Sequence, residues 1–89
     1  MSAGLDGLAR RPEMEWAEVD NEVVIVNRAG AEVLRLNSAA AFVWKQLDGH
    51  RSAGDLSQLL CGQFDVDAPT AEQDVMAVLR RMLELEVVV

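Results

Sequence analysis

Side chains that could do chemistry are few in this sequence, and they lie far apart. Its one cysteine, Cys61, is flanked by Leu59, Leu60 and Gly62, with Phe64 nearby. A cysteine nucleophile needs a neighbouring base or cation that favours the thiolate, and none of these residues supplies one. A buried, unreactive thiol is therefore the favoured interpretation of Cys61.

The single histidine and the most closely spaced pair of aspartates do not form a catalytic or metal site either. His50 lies in a Gly-His-Arg loop without an acid or base partner in the sequence around it, which favours a solvated turn residue over a general base. Asp65 and Asp67 resemble the start of a calcium loop, but the glycine of that loop is absent and Pro69 breaks its spacing. We therefore predict a chain that is not an enzyme, with no metal and no cofactor.

Composition and charge limit the classes of partner that this chain could bind. The 89 residues suffice for one domain, and 15 acidic against 8 basic residues give a net charge of -7. Such a field repels nucleic acid, and the adjacent pairs Arg10-Arg11 and Arg80-Arg81 are too short to form a phosphate track. No apolar run approaches the roughly 20 residues that span a bilayer. We predict no nucleic acid, no membrane and, from the single cysteine and the lack of a signal sequence, a cytoplasmic location.

The first half of the sequence has the pattern of a β-meander. Residues 1–12 have no periodic apolar pattern and predict a flexible N-terminal arm, which leaves residues 13–89 as the folded domain. Alternating and β-branched runs then predict three antiparallel strands, at residues 15–19, 22–27 and 31–36. Asp20-Asn21 forms the first predicted turn, and residues 27–30 form the second, with Gly30 free to take a positive φ.

The second half changes to helical spacing. Ser38 is a candidate cap for a first helix that Asp48-Gly49 ends, and Ser52 with Asp55 resembles a capping box for a second helix. Thr70 with Gln73 repeats that pattern before a third helix, and the terminal valines predict a short strand or a cover for the core. The fold class is thus α+β, a winged helix-turn-helix with a three-stranded antiparallel sheet followed by three α-helices.

Two features of this fold favour peptide binding. A meander leaves its third strand at an edge, and this strand contains no proline that would prevent a further strand from pairing. On the third helix the apolar arc covers about half the circumference, more than the stripe of roughly 100° that burial on one face needs. A groove along this helix is one interpretation, and the simpler alternative is that a short domain buries a wide helix face in its core. The margin that would line a groove contains Asp74, Val78, Arg81 and Leu85, with Val75 and Met82 beside it.

A family resemblance supports the groove. The run Leu36-Asn37-Ser38-Ala39-Ala40-Ala41-Phe42-Val43-Trp44, with Leu47-Asp48-Gly49 after it, resembles the signature of PqqD-like proteins, the precursor-peptide recognition elements. Phe64 to Asp67 and the apolar pattern from Asp74 to Met82 are similar to the family as well, whereas Ala40 and Glu86 stand where glycine is common. The resemblance implies a winged-helix peptide chaperone whose contacts would be Glu32, Val33, Leu34, Arg35, Leu36, Asp74, Val75, Val78, Arg81 and Met82.

The resemblance also implies the partners. A member of this family binds the leader of a ribosomally made precursor peptide as an added strand. It presents the leader to a radical S-adenosylmethionine enzyme, or to a protease or cyclase in lasso-peptide biosynthesis. Two alternatives stay open: a small winged-helix regulator, which would bind duplex DNA with a steep salt dependence, and a structural adaptor subunit of a larger enzyme.

Overall fold

The structure is a computed structural model that describes residues 3–27 and 32–89. A 3-10 helix at Ala3–Leu5 comes first. Three strands follow, β1 (Glu15–Val19), β2 (Glu22–Asn27) and β3 (Glu32–Leu36), and then three helices, α1 (Ser38–Lys45), α2 (Ala53–Gln63) and α3 (Ala68–Glu84). The predicted α+β arrangement of three antiparallel strands and three helices is confirmed. Most of the second predicted turn, including Gly30, lies outside the described residues.

The first hairpin follows from two residues with positive φ. Asp20 has φ 54° and Asn21 has φ 66°, the left-handed pair that a two-residue type I′ turn requires. The turn pairs Val19 with Glu22 and so sets the register of β1 on β2. One face of β2 is consequently apolar and fully buried, through Val23 and Ile25.

The helix starts differ from the predictions in two of three cases. The Oδ1 atom of Asn37, not Ser38, accepts a hydrogen bond of 3.0 Å from the backbone N–H of Ala40 at the start of α1. The Ser38 prediction was wrong because Asn37 is still extended, as a capping residue must be, whereas Ser38 is already helical. The predicted capping box of Ser52 and Asp55 is confirmed, with reciprocal hydrogen bonds of 3.0 and 3.1 Å.

The third helix begins before the predicted capping box. Asp67 is its N-cap residue and Pro69 lies in its first turn, so Thr70 is inside the helix and does not start it. Proline is well suited to this position because the N–H it lacks would have no partner there and its φ is already helical. The side-chain hydroxyl of Thr70 lowers the pKa of the exposed Asp67 carboxyl below its usual value. α1 likewise ends at Lys45, before the predicted stop at Asp48-Gly49.

The core lies between the sheet and the helices. Trp44 is fully buried, and the ring of Trp16 on β1 meets it edge to face with the ring centroids 6.0 Å apart. Cys61 is a free, half-buried thiol. The helices contribute most of the remaining large buried side chains, among them Val43, Leu56, Leu60, Val75, Leu79 and Met82, and the buried Leu47 lies in the loop after α1.

The C-terminal tail covers the core and pairs with the N-terminal segment. Val87 and Val88 are each 2% exposed, and Val89 exchanges two backbone hydrogen bonds of 2.9 Å with Ala9. Leu5 and Leu8 of the same segment are also buried. Whether residues 1–12 move independently of residues 13–89 stays a prediction.

Candidate functional site

Strand β3 is at an edge of the sheet. The strand order is β1-β2-β3, so β3 pairs with β2 on one side and, within residues 3–27 and 32–89, with no strand on the other. The C-terminal tail could have filled this side, but it pairs with residues 9–11 instead. The margin needed for strand addition is therefore not occupied by the described part of the chain.

The hairpin register indicates which backbone groups face the open side. Val19 and Glu22 flank a two-residue turn and so form a mutually hydrogen-bonded pair, and this pairing alternates along an antiparallel ladder. The alternate residues of β2 therefore bond to β3, and their partners there are Leu36 and Leu34. Val33 and Arg35 alternate with these two leucines along β3. They therefore direct their N–H and C=O groups toward the open edge.

A groove runs beside this edge, between β3 and α3. It consists of two adjoining hollows, of about 280 and 180 Å³, that share Leu34 and Arg81 as lining residues. We call the two together the β3–α3 groove. The larger hollow is also lined by Arg35, Leu36, Asn37, Ala40, Ala77, Val78 and Met82, and the smaller by Ile25, Glu32, Val33, Leu85 and Val87.

The lining of the groove is mostly apolar, and its rim is charged. Met82 is 1% exposed and forms part of the floor, while Val78 on the preceding turn of α3 is half-buried. On the rim, the Arg35 Nε atom lies 3.1 Å from Glu22 Oε1 on the solvent side. This arrangement suits an extended chain with apolar anchors.

Eight of the ten predicted contact residues line the β3–α3 groove, and two do not. Asp74 is exposed and lies outside both hollows, and Val75 is 0% exposed, with no surface that a guest chain could touch. The roles of all ten stay predictions. The eight that the fold brings together are Glu32, Val33, Leu34, Arg35, Leu36, Val78, Arg81 and Met82.

The chain matches known proteins along most of its length. The family model for "Coenzyme PQQ synthesis protein D (PqqD)" matches residues 22–88. The chain belongs to the PqqD family. A curated relative from Acinetobacter baylyi, the "PqqA binding protein", is 33% identical over 67 residues, which are 75% of this chain and 65% of the relative. The match thus spans less than two thirds of that relative's length.

Two solved structures resemble this PqqD-family fold. "Lasso peptide synthetase B1 complexed with the leader peptide" matches with a TM-score of 0.79 and 30% identity, over 93% of this chain and 98% of that one. "TbiB1 in Complex with the TbiA(beta) Leader Peptide" has the same TM-score of 0.79 at 22% identity, over 90% of this chain and 93% of that one, and is evidence of the fold alone.

Sequence reasoning missed five residues of the PqqD-family groove: Ile25 and Val87, which line the smaller hollow, and three that line the larger one. Asn37, Ala40 and Ala77 line the larger hollow, and two of them are alanines whose small side chains leave the space open. Their sequence signal is weak, since an alanine leaves space only when it faces another small residue across a packing interface. The distance between α1 and α3 decides this, and periodicity does not reveal it.

The rest of the described surface provides weaker candidates for a binding site. A third hollow of about 220 Å³ lies away from β3, and its Lys45 Nζ is already held 2.9 Å from Glu18 Oε2. Among the described residues no group of three histidine, cysteine or acidic side chains could hold a metal ion. No helix in this part of the chain is both long and apolar enough to cross a bilayer.

Proposed function

We propose that this chain is a non-catalytic peptide-binding module that recognises the leader of a ribosomally made precursor peptide. The observation that carries the proposal is the open edge of β3, which lies beside an apolar groove. An extended leader would pair with β3 as a fourth strand, and every second side chain would enter the groove. The name of the Acinetobacter baylyi relative and the leader complex of the lasso peptide synthetase B1 support this assignment.

Strand pairing alone would give weak binding. The outward N–H and C=O groups of Val33 and Arg35 offer about four hydrogen bonds at roughly 0.5 to 1.5 kcal/mol net each, and ordering a flexible peptide costs about 2 to 5 kcal/mol. Micromolar affinity corresponds to about -8 kcal/mol, so two or three apolar anchors worth roughly 1.5 to 3 kcal/mol each must be added. The two hollows of the groove are where such anchors fit.

The proposed partner is a peptide-modifying enzyme in the cytoplasm. A radical S-adenosylmethionine enzyme, or a lasso-peptide protease or cyclase, would act on the precursor while this chain holds the leader. The name of one structural relative, lasso peptide synthetase B1, supports a role in peptide maturation. The single cysteine, which cannot form an intrachain disulfide, is consistent with a cytoplasmic location.

A nuclear magnetic resonance titration tests the proposal. The probe is a synthetic leader of the precursor peptide encoded beside this chain's gene, added to the isotopically labelled protein. We expect the amides of Val33 and Arg35 to shift most, together with side chains of Val78 and Met82. If the shifts concentrated on α2, or if no leader bound at micromolar concentration, the proposal would be wrong.

A proline at Val33 gives the matched mutational test. Its ring removes an N–H that faces the open edge, so the β2–β3 ladder stays intact while one hydrogen bond to the guest strand is lost and the added strand meets the ring. We expect Val33→Pro to weaken leader binding at least tenfold. Glu18→Pro changes an outward-facing residue on the opposite edge strand and serves as the control. Equal losses of affinity in both variants would contradict pairing at β3.

A further inference from the structure

Arg81 lies where the two hollows of the β3–α3 groove adjoin. It is one of two residues that line both hollows, and the other, Leu34, is apolar. Its side chain is exposed and makes no ion pair with the residues the structure describes. An unpaired guanidinium at the junction of two apolar hollows, in a chain of net charge -7, is a charge available to a guest.

The other charges nearby do not compete for this role. Arg35 is already paired with Glu22 at 3.1 Å, and Arg80 lines neither hollow. Glu32 lines only the smaller hollow, and would repel a guest carboxylate there. At physiological salt the screening length is about 8 Å, so more distant acidic residues repel a guest carboxylate far less than Arg81 attracts it at contact.

We propose that the β3–α3 groove selects extended segments in which an acidic side chain lies two residues from an apolar anchor, and that Arg81 recognises the acid. This specificity rests on the proposed function, because the guest must first pair with β3. Side chains of a strand alternate between faces, and those on one face are about 6.6 to 6.8 Å apart. An acid and an anchor that both point toward α3 are therefore separated by an even number of positions. The guanidinium can then donate two parallel hydrogen bonds to the carboxylate.

A peptide-display selection tests this specificity. The probe is a library of random twelve-residue peptides, selected in parallel on the unchanged protein, on Arg81→Glu and on Arg80→Glu. The two variants make the same change in net charge at neighbouring exposed positions of α3. We expect aspartate or glutamate to be enriched two positions from an apolar residue on the unchanged protein and on Arg80→Glu. On Arg81→Glu we expect this enrichment to vanish, or to be replaced by lysine and arginine.

The affinity of one selected peptide measures how much Arg81 contributes to binding of the acidic side chain. Replacing its acidic residue by the corresponding amide should weaken binding to the unchanged protein about three- to tenfold, and should have no effect on binding to Arg81→Glu. Thermal unfolding of both variants shows whether they are folded.

The outcomes separate the two proposals. Selected peptides that bind at β3 but show no acidic preference would overturn the role of Arg81 and leave the proposed function standing. A selection that yields no peptides would overturn both. So would a dimer in a sedimentation measurement that Val33→Pro converts to a monomer, because the edge of β3 would then be an interface between copies.

Discussion

Glu86 is a residue in a conformation that favours glycine. It follows the last turn of α3 with φ 59°, its N–H donates to the Leu83 carbonyl at 3.1 Å, and the Val87 N–H donates to the Met82 carbonyl at 3.2 Å. This pair of hydrogen bonds is a Schellman motif, in which the residue at positive φ is usually glycine. The motif forms here although glutamate strains it, because Val87 is buried once the helix ends in this way.

We expect Glu86→Gly to stabilise the protein. A side chain in the left-handed region costs roughly 1 to 2 kcal/mol, and glycine removes this cost. Part of the gain is offset because glycine has a larger conformational entropy in the unfolded chain. A net gain of about 0.5 to 1 kcal/mol should raise the midpoint of thermal unfolding by about 2 to 8 °C. Glu84→Gly removes the same charge from a helical position and should lower the midpoint. A fall in both variants would show that Glu86 is not strained.

At the residue scale, the sequence identifies the capping chemistry better than the capping position. Asn37 and Ser38 are both good N-cap residues, and neither the apolar spacing of α1 nor the residue type decides between them. The backbone decides it, because β3 ends at Leu36 and the next residue is still extended. The spacing of Ser52 and Asp55 predicted the start of α2 correctly, but the same spacing of Thr70 and Gln73 did not predict the start of α3, because that helix already includes Pro69.

At the element scale, α3 belongs to both the core and the groove. Its wide apolar arc was compatible with either, and the structure divides it: Val75 and Leu79 are fully buried, while Val78 and the C-cap residue Leu85 are half-buried and line the groove. The edge position of β3 was predictable from a meander followed by helices. The division of α3 was not, since the angle at which α3 crosses the sheet sets it.

Alanine substitutions should separate the two roles of α3. Val75→Ala removes buried methyl groups and should cost about 2 kcal/mol of unfolding free energy. Val78→Ala should cost under about 1 kcal/mol of stability but weaken binding of the leader about fivefold, by removing part of an anchor site. Denaturant unfolding and a fluorescence titration with labelled leader measure the two effects. Comparable loss of stability in both variants, with unchanged binding, would mean that Val78 belongs to the core alone.

In the molecule as a whole, the C-terminal valines pair with the N-terminal segment and not with the open strand. Ala9 and Val89 exchange hydrogen bonds of 2.9 Å, and the Arg11 N–H donates to the Val87 carbonyl at 3.1 Å. Val87 lines the smaller hollow beside β3, but the backbone groups of the valines are bonded to residues 9–11 and do not pair with β3, so the edge stays available. The first twelve residues lack periodicity, so their sequence did not indicate a partner. That partner is a tail 76 to 80 residues further along the chain, from Arg11 to Val87 and from Ala9 to Val89, and local patterns do not encode such a contact.

We expect the N-terminal segment, residues 1–12, to stabilise the fold through its two buried leucines. Leu5 and Leu8 are 6% and 7% exposed, so replacing both with alanine should remove about 3 to 6 kcal/mol of unfolding free energy. For a domain of this size the midpoint of thermal unfolding should fall by at least about 10 °C. Glu13→Ala, at the exposed position directly after this segment, should leave the midpoint within about 2 °C because an exposed ion pair contributes little. If the double variant unfolded at the same temperature as the unchanged protein, residues 1–12 would be the flexible arm that the sequence predicts, and the pairing of the two ends would contribute nothing to stability.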